Sequence, residues 1–245
     1  MTQQPARPHE SSGAEDGGGS GVPAPPTLVE DLLLLLFQPR SGTVAGENTL
    51  FYVLGGAVLA DLALGGHVTT TTRAGSTTVE ALGGERPTDG ILRSAWDRVR
   101  AKPRGVQSLL AEIGPPLRQP VLERLLVRGD IRQETRRTLG LFTMTALVDG
   151  GNGRRARLLD GVRAALVTEE EPTPRHAALA ALVWGSGTLP QFDPDIPWNA
   201  SVMTRGQELE RGNWGAAASS EAVTRTMSAV IVSSVVVATT VLGRR

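Results

Sequence analysis

The sequence has no cysteine, only three histidines and few aromatic residues. The absence of cysteine excludes disulfide bonds, thiolate metal sites and a cysteine nucleophile. His9, His67 and His176 lie far apart along the chain and match no metal-ligand spacing. The chain also has no G-x-S-x-G elbow, Walker A loop, H-E-x-x-H helix or G-x-G-x-x-G turn after a strand. The sequence therefore predicts a protein that is not an enzyme and that needs no cofactor.

The chain also lacks a net charge, because its acidic and basic residues are equal in number. The 245 residues include 25 Lys and Arg and 25 Asp and Glu. Proteins that bind nucleic acid by releasing counterions need clustered cations, so we expect no nucleic acid partner. Lys102 is the single lysine, and the other 24 cations are arginine. Arginine suits bidentate contacts to phosphate or carboxylate, although a GC-rich genome also explains this bias.

The first 26 residues differ in composition from the rest of the chain. Residues 1–26 are rich in glycine and proline and contain almost no aliphatic side chains. Such a segment cannot bury enough apolar surface to offset its ordering entropy, so we predict a disordered arm. It also lacks the apolar stretch of a signal peptide, which predicts a cytoplasmic protein. Residues 27–245 are predicted to form one domain, and a capping box of Thr27 and Glu30 starts its first helix.

The hydrophobic pattern predicts a mainly α-helical fold with a β-hairpin. Two helices are apolar all round and are expected in the core: one begins after Thr27 and ends before Pro39, and the other spans residues 50–64. Small residues in the second helix predict tight packing against a neighbour. A short strand is expected at 68–72, and two hairpin strands at 131–135 and 138–148. Further helices are predicted at about 88–101, 105–113, 120–128, 154–167, 174–185, 200–213 and 215–242.

The C-terminal helix raises the question of a membrane anchor. Residues 226–243 carry no charge and approach the length of a membrane span. Serine and threonine dilute this valine-rich segment, which weakens the insertion signal and favours a buried helix that closes the core. A tail anchor remains the alternative interpretation.

Several polar and aromatic residues have both a structural and a functional interpretation. Asp61 in an apolar helix fits a general base, but a buried carboxylate that caps a helix or pairs with arginine is more common. Trp198 fits either a membrane interface or the cap of a hydrophobic cluster. Six arginines bracket the predicted hairpin and could face an anionic lipid surface or simply be solvated: Arg132, Arg136, Arg137, Arg154, Arg155 and Arg157.

Four sequence motifs resemble those of the Golgi phosphoprotein 3 family. Residues 28–35 read LVEDLLLL and residues 54–68 read LGGAVLADLALGGHV, which together resemble the first two helices of the family. Residues 122–129, LERLLVRG, resemble its helix before a hairpin, and residues 140–142, GLF, resemble part of that hairpin. The resemblance covers about residues 27–242. The preference for arginine over lysine and the short loops resemble bacterial members from actinomycetes.

The resemblance implies a single globular helical domain and a membrane function. The family fold is a hydrophobic helical core ringed by amphipathic helices, with one projecting hairpin. Its members are peripheral proteins of the cytosolic membrane face, and eukaryotic members bind phosphatidylinositol 4-phosphate in a shallow basic pocket. The hairpin, near residues 130–148 here, implies self-association.

The family pocket is only partly retained in this sequence. It uses one tryptophan and three arginines, and the tryptophan position falls on Gly46 or Glu47. The three arginine positions fall on Gly55, Pro115 and Arg118, so only Arg118 matches. Losing most of these groups removes charge-assisted bonds to a phosphate and the aromatic platform.

Three further arginines are candidates for a cationic site, and a second function is also considered. Arg40, Arg73 and Arg124 would rebuild a cationic site if they converged, while Arg118 would be neutralised if it paired with Glu112 or Glu123. We therefore predict a peripheral membrane protein that binds anionic phospholipid headgroups. The alternative is a soluble helical scaffold, or protein-interaction module, that binds no lipid.

Overall fold

The computed structural model describes residues 24–138, 142–168, 170–213 and 221–242. Within these ranges the fold is predominantly helical, as predicted. The helices are α1 Leu28–Leu36, α2 Leu50–Leu64, α3 Gly90–Ala101, α4 Val106–Ile113, α5 Arg118–Val127, α6 Arg154–Val167, α7 Pro174–Gly185, α8 Ala200–Glu210 and α9 Glu221–Leu242. The strands are β1 Phe37–Gln38, β2 Thr43–Val44, β3 Val68–Arg73, β4 Ser76–Ala81, β5 Arg104–Gly105, β6 Ile131–Thr138 and β7 Phe142–Asp149. They form small antiparallel sheets, β1–β2, β3–β4–β5 and β6–β7.

Helices α1 and α2 lie at the centre of the core. The predicted capping box starts α1: the Thr27 backbone N–H donates to Glu30 Oε2 at 2.9 Å, and the Glu30 N–H donates to Thr27 Oγ1 at 3.4 Å. Every residue of α1 is buried, in keeping with a helix that is apolar all round. Helix α2 contacts α1, α3, α4, α7 and α9, so it organises most of the packing.

The glycines of α2 allow two neighbouring helices to approach it closely. A Cβ added at Gly56 would lie 2.6 Å from Ser234 Oγ of α9, and one at Gly55 would lie 3.0 Å from Leu110 Cδ2 of α4. A glycine inside a helix costs about 1 kcal/mol in helix propensity, and this close packing offsets that cost. The prediction of tight packing along α2 is confirmed.

Helix α9 is part of the core over the portion whose side chains are described. Met227, Val230 and Ile231 are buried, and the helix packs along α2 and also contacts α7 and α4. Among the described residues, no helix combines the length and the apolarity that a bilayer crossing requires. The structure therefore supports the buried-helix interpretation of the C-terminal stretch.

The structure corrects the start of α5, the end of α8, which lies at Glu210 rather than near 213, and the bounds of the hairpin strands, and it adds strands that were not predicted, of which β4 is the longest. Helix α5 begins at Arg118 rather than Pro120, since a proline in the first turn removes no intrahelical hydrogen bond. The first hairpin strand continues to Thr138 and the second begins at Phe142, so the turn is not at 136–137. Strand β4, which is rich in serine and threonine and was not predicted, pairs with β3 along its whole length.

The last residues of the predicted arm contact the body of the protein. Arg128 Nη2 donates to the Ala24 carbonyl oxygen, and Arg175 Nη2 donates to the Pro26 carbonyl oxygen, each at 2.7 Å. Residues 1–23 of the predicted arm lie outside the described residues. Residues 24–26 are therefore held against the body by Arg128, which follows α5, and by Arg175 of α7.

Candidate functional site: the Arg118 region and the buried charge network

The positions of the resembled headgroup pocket come together in the fold. The loop before α2 carries Gly46 and Glu47, and the loop between α4 and α5 carries Pro115. Arg118 is the first residue of α5, and its Nη2 donates to Glu47 Oε1 at 2.8 Å. Gly55 of α2 faces the same loop, because a Cβ added there would lie 3.6 Å from Gly114 Cα.

The side chains at these positions differ from those of a basic headgroup pocket. A Cβ at Gly46, whose φ is +70°, would lie 2.8 Å from Thr188 Cγ2, so the backbone and its surroundings disfavour an aromatic side chain there. Gly55 and Pro115 contribute no charge. Arg118 therefore faces a carboxylate, Glu47, where the resemblance places an aromatic platform, and neither Glu112 nor Glu123 is its partner.

Two helix N-termini meet beside Arg118. A Cβ at Gly114 would clash with the Phe51 carbonyl oxygen, which places the first turn of α2 directly against the loop before α5. Neither α2 nor α5 has a side-chain cap, and the first N–H groups of a helix have no intrahelical partner. The positive ends of the α2 and α5 dipoles and one guanidinium favour an anion here, and Glu47 supplies a carboxylate, whereas the C-terminal end of α4, which is capped by Gly114 in the same loop, opposes an anion.

An aromatic pair at the start of α2 was not predicted from the sequence. Phe51 and Tyr52, in the first turn of α2, are both half-buried, and their ring centroids lie 3.9 Å apart. The available signal was the pair of adjacent aromatic residues at the start of an otherwise aliphatic helix. They give the surface at the first turn of α2 an apolar component, and Tyr52 also packs against the core.

The other candidate arginines do not form a site with Arg118. Arg40 is exposed in the turn between β1 and β2, and Arg73 is exposed at the end of β3. Arg124 pairs with Asp89 at 2.6 Å and with Glu30 at 3.5 Å, so its charge is already balanced by carboxylates. Within the described residues, no hydrogen bond or ion pair links these arginines to a shared partner.

Two of the six arginines around the hairpin point inward, so they do not face a lipid surface. Arg154 pairs with Asp31 and Asp130, and Arg155 Nε donates to the Phe37 carbonyl oxygen at 2.9 Å. Burial lowers the pKa of Arg155, against the opposing effect of Asp149 and Asp195. The side chains of Arg132 and Arg157 are exposed, while those of Arg136 and Arg137 lie outside the described residues.

The strongest electrostatic feature is a network of buried charges at the start of α1. Within the described residues, one branch joins Asp89, Arg124, Glu30 and Arg128, and the other joins Asp130, Arg154, Asp31, Arg175 and Asp61. The residues come from α1, α2, α5, α6 and α7 and from the segments that precede α3 and β6. Such networks perturb pKa values for structural reasons as well as catalytic ones, and this one ties the central helix to its neighbours.

Glu30 is the most enclosed carboxylate of this network. It accepts hydrogen bonds from the Thr27 N–H and hydroxyl at 2.9 and 2.7 Å and from Arg128 Nε at 2.7 Å. Burial alone would raise the pKa of Glu30, but the bonds from Thr27 and Arg128 outweigh it and hold the pKa below its ordinary value. The charged form is therefore the one that the fold stabilises.

Asp61 has the opposite electrostatic balance. Its Oδ2 accepts a 2.8 Å hydrogen bond from the Leu28 N–H at the start of α1, and Arg175 lies 3.9 Å from its Oδ1. Burial raises the pKa of Asp61, and the hydrogen bond from Leu28 and the charge of Arg175 only partly oppose this effect. The interpretation of Asp61 as a carboxylate that caps a neighbouring helix is confirmed.

We expect Asp61→Asn to leave the protein at least as stable at neutral pH. The amide oxygen can still accept from the Leu28 N–H, and the cost of a buried charge disappears. Because the pKa of Asp61 is higher in the folded protein than its ordinary value of 3.8, the protonated form favours folding. This contribution is complete below pH 3.8 and is lost as the pH rises through the folded-state pKa. Urea unfolding from pH 4 to 8 should therefore show this loss in the parent and not in the variant. If Asp61→Asn lowered the free energy of unfolding by several kcal/mol at neutral pH, this account would be contradicted, because the Asp61 charge would then be stabilising the fold.

The fold and the site together define a predominantly helical globular protein with an arginine where two helix N-termini meet. Within the described ranges, no group of three or more acidic or histidine side chains is arranged to hold a metal ion. Residues 28–226 match the family model of Golgi phosphoprotein 3 (GPP34), which is more than half of the chain. The chain therefore belongs to the Golgi phosphoprotein 3 family. No curated protein matches it.

Proposed function

We propose that the protein is a peripheral membrane protein that binds anionic phospholipid headgroups at Arg118. The observation that carries this proposal is the position of Arg118 at the uncapped N-terminus of α5, where it bonds to Glu47 of the loop that leads into the uncapped N-terminus of α2. Membership of the Golgi phosphoprotein 3 family supports the same function. By this resemblance the preferred lipid is phosphatidylinositol 4-phosphate, bound at the cytosolic face of a membrane by a cytoplasmic protein.

The proposal requires the headgroup phosphate to replace Glu47 as the partner of Arg118. The two side chains are 46% and 51% exposed, and an ion pair this exposed contributes roughly 0–1 kcal/mol. A phosphate offers more acceptor oxygens and more charge than a carboxylate, and it accepts bidentate bonds from a guanidinium. Displacing Glu47 therefore costs little, and the released carboxylate is free to turn into solvent.

Phe51 and Tyr52 supply the second part of the contact. Tyrosine, whose ring ends in a polar hydroxyl, is favoured at the boundary between acyl chains and headgroups, and Phe51 adds apolar area beside it. A phosphate at Arg118 would place this pair against the same membrane surface. The hairpin formed by β6 and β7 would, by the resemblance, mediate self-association, so that two or more such sites would engage one membrane.

We expect Arg118→Ala to weaken binding to anionic vesicles about tenfold, since hydrogen bonds to charged groups contribute about 1.5–3 kcal/mol. Glu47→Gln should strengthen binding, because it removes the carboxylate that competes with the phosphate. The matched control is the Arg86–Asp97 pair, which is similarly exposed at 55% and 43%. Arg86→Ala and Asp97→Asn should leave binding unchanged, and all four variants should keep the stability of the parent within about 0.5 kcal/mol.

The measurement is co-sedimentation with vesicles of phosphatidylcholine alone or with added phosphatidylserine, phosphatidylinositol or phosphatidylinositol 4-phosphate. Binding by the parent should fall with added salt, and Arg118→Ala should show a shallower dependence. Equal salt dependence in the two proteins would place the membrane contact elsewhere. Failure of the parent to bind any anionic vesicle would instead favour the scaffold function.

A further inference from the structure

A surface groove lies between the C-terminal ends of α7 and α8, and its lining residues all come from the C-terminal part of the chain, between residues 184 and 232. It encloses about 540 Å³, and its walls include Trp184, Leu189, Trp198 and Val232, with Glu210 and Arg211 at the end of α8. Trp198 and Val232 are exposed although both are large and apolar. The groove contains no residue of the Arg118 region, so a ligand here would be separate from the proposed headgroup site.

Two tryptophans form the aromatic wall of the groove. The rings of Trp184 and Trp198 are stacked, with centroids 6.2 Å apart and planes inclined at 28°. Trp184 is held in place from two sides: its Nε1 donates to Glu210 Oε2 at 2.9 Å, and a Cβ added at Gly206 would lie 2.7 Å from its ring. The ring is thus fixed before any ligand arrives, which lowers the entropic cost of binding.

The part of the groove beside Glu210 favours a cation. Helix α7 ends at Gly185 and α8 ends at Glu210, and both ends contribute residues to the walls. Helix C-termini carry partial negative charge, and neither helix has a basic residue in its last turn. Within the described residues, the Glu210 carboxylate accepts a hydrogen bond from the Trp184 indole through Oε2, so its second oxygen can face a ligand.

The chemistry selects an organic cation over a metal ion. A calcium or magnesium ion needs about six oxygen ligands, whereas these walls are mostly indole and aliphatic surface. Tryptophan faces attract alkylammonium groups more strongly than the other aromatic side chains do, and an adjacent carboxylate adds charge complementarity. Arg211, next to Glu210 and exposed, supplies a positive group at the same groove.

We propose that this groove binds a zwitterion of the phosphocholine type. Its ammonium group lies against the exposed ring of Trp198 and beside the Glu210 carboxylate that Trp184 holds in place, and its phosphate lies toward Arg211. The ligand is either the headgroup of a zwitterionic phospholipid or a soluble compound that carries the same group. This proposal does not depend on phosphate binding at Arg118.

The test follows the indole N–H signals in a two-dimensional nitrogen–proton NMR spectrum of the full chain. Phosphocholine and tetramethylammonium should shift the Trp184 and Trp198 signals with saturation. The neutral isostere 3,3-dimethylbutanol should bind at least about tenfold more weakly, because it has the shape of choline without the charge. Trp96 is an internal control, since it is buried and donates to the His67 carbonyl oxygen.

Two variants test the assigned residues. Glu210→Gln keeps an acceptor for the Trp184 indole but removes the charge, and it should weaken tetramethylammonium binding about fivefold or more. Trp198→Leu should weaken it similarly by removing an aromatic face. The control is Glu208→Gln on the same helix, whose carboxylate pairs with Arg205 at 3.1 Å and does not line the groove.

Vesicle binding distinguishes the two sources of the ligand and separates this proposal from the first one. For a phospholipid headgroup, Trp198→Leu should reduce co-sedimentation with phosphatidylcholine vesicles, whereas Arg118→Ala should not. For a soluble ligand, phosphocholine alone should bind, with no effect of Trp198→Leu on vesicles. Equal affinity for the neutral isostere, or unchanged affinity in both groove variants, would overturn the proposal.

Discussion

Val230→Asp is expected to prevent the protein from folding. Val230 is 0% exposed in α9, between the buried residues Met227 and Ile231, on the helix that packs along α2. A carboxylate at this position would be buried without a partner, which costs several kcal/mol even after protonation. Because the free energy of unfolding of a domain is typically about 5–15 kcal/mol, this single change removes much or all of it.

Circular dichroism melts and size-exclusion chromatography would measure the effect. Val232→Asp is the matched control, since Val232 is 36% exposed two residues further along the same helix. The control should fold with nearly the melting temperature of the parent, while Val230→Asp should show no cooperative transition. A folded Val230→Asp protein that merely loses its membrane fraction would instead support a tail anchor.

Glu30→Gln is expected to destabilise the protein by about 3–5 kcal/mol, the cost typical of removing one partner from a buried ion pair. The glutamine keeps the shape of the side chain and an acceptor for the Thr27 N–H. It leaves Arg128, and to a lesser degree Arg124, with an unbalanced charge that is partly buried. Glu123→Gln is the control, because Glu123 is exposed on α5 and bonds only to Gln119 within the described residues.

The pH dependence shows whether charge is the cause of this loss. The folded pKa of Glu30 lies below its ordinary value of 4.5, so its contribution is complete above that value and is lost as the pH falls through the folded pKa. Urea unfolding should therefore show the largest difference between parent and variant at neutral pH and a shrinking difference in acid. A difference that is independent of pH would assign the loss to side-chain shape.

Local signals predicted most of the helices, because helix caps and hydrophobic periodicity are properties of short segments. The bounds of α2, α6 and α7 agree with the prediction, and the capping box at Thr27 starts α1 as expected. The start of α5 was wrong because proline is compatible with several positions of a first turn. Strand β4 was missed because serine and threonine fit loops as well as exposed strands.

The charge pairings of the site could not be predicted in the same way. The sequence suggested nearby carboxylates for Arg118, but its partner, Glu47, lies 71 residues away in the chain. Glu112 pairs instead with Arg98 and Arg104. Arg128 and Glu30 are separated by 98 residues, so their contact depends on how α1 and α5 pack. A sequence shows which side chains are charged, whereas tertiary packing decides which ones meet.

The close contact at Gly55 ties the order of substitutions at the Arg118 site to their cost in stability. An arginine at this position would add a Cβ that lies 3.0 Å from Leu110 Cδ2 and 3.6 Å from Ile113 Cγ1, inside the contact between α2 and α4. Leu110 is fully buried, so it has little room to move aside. An arginine gained at position 55 would therefore press on Leu110, which would have to shift by a few tenths of an ångström. If the arginine comes first, it strains this contact, and if a smaller residue at position 110 comes first, it opens a cavity in the core, so the order of the two changes decides which cost in stability arises.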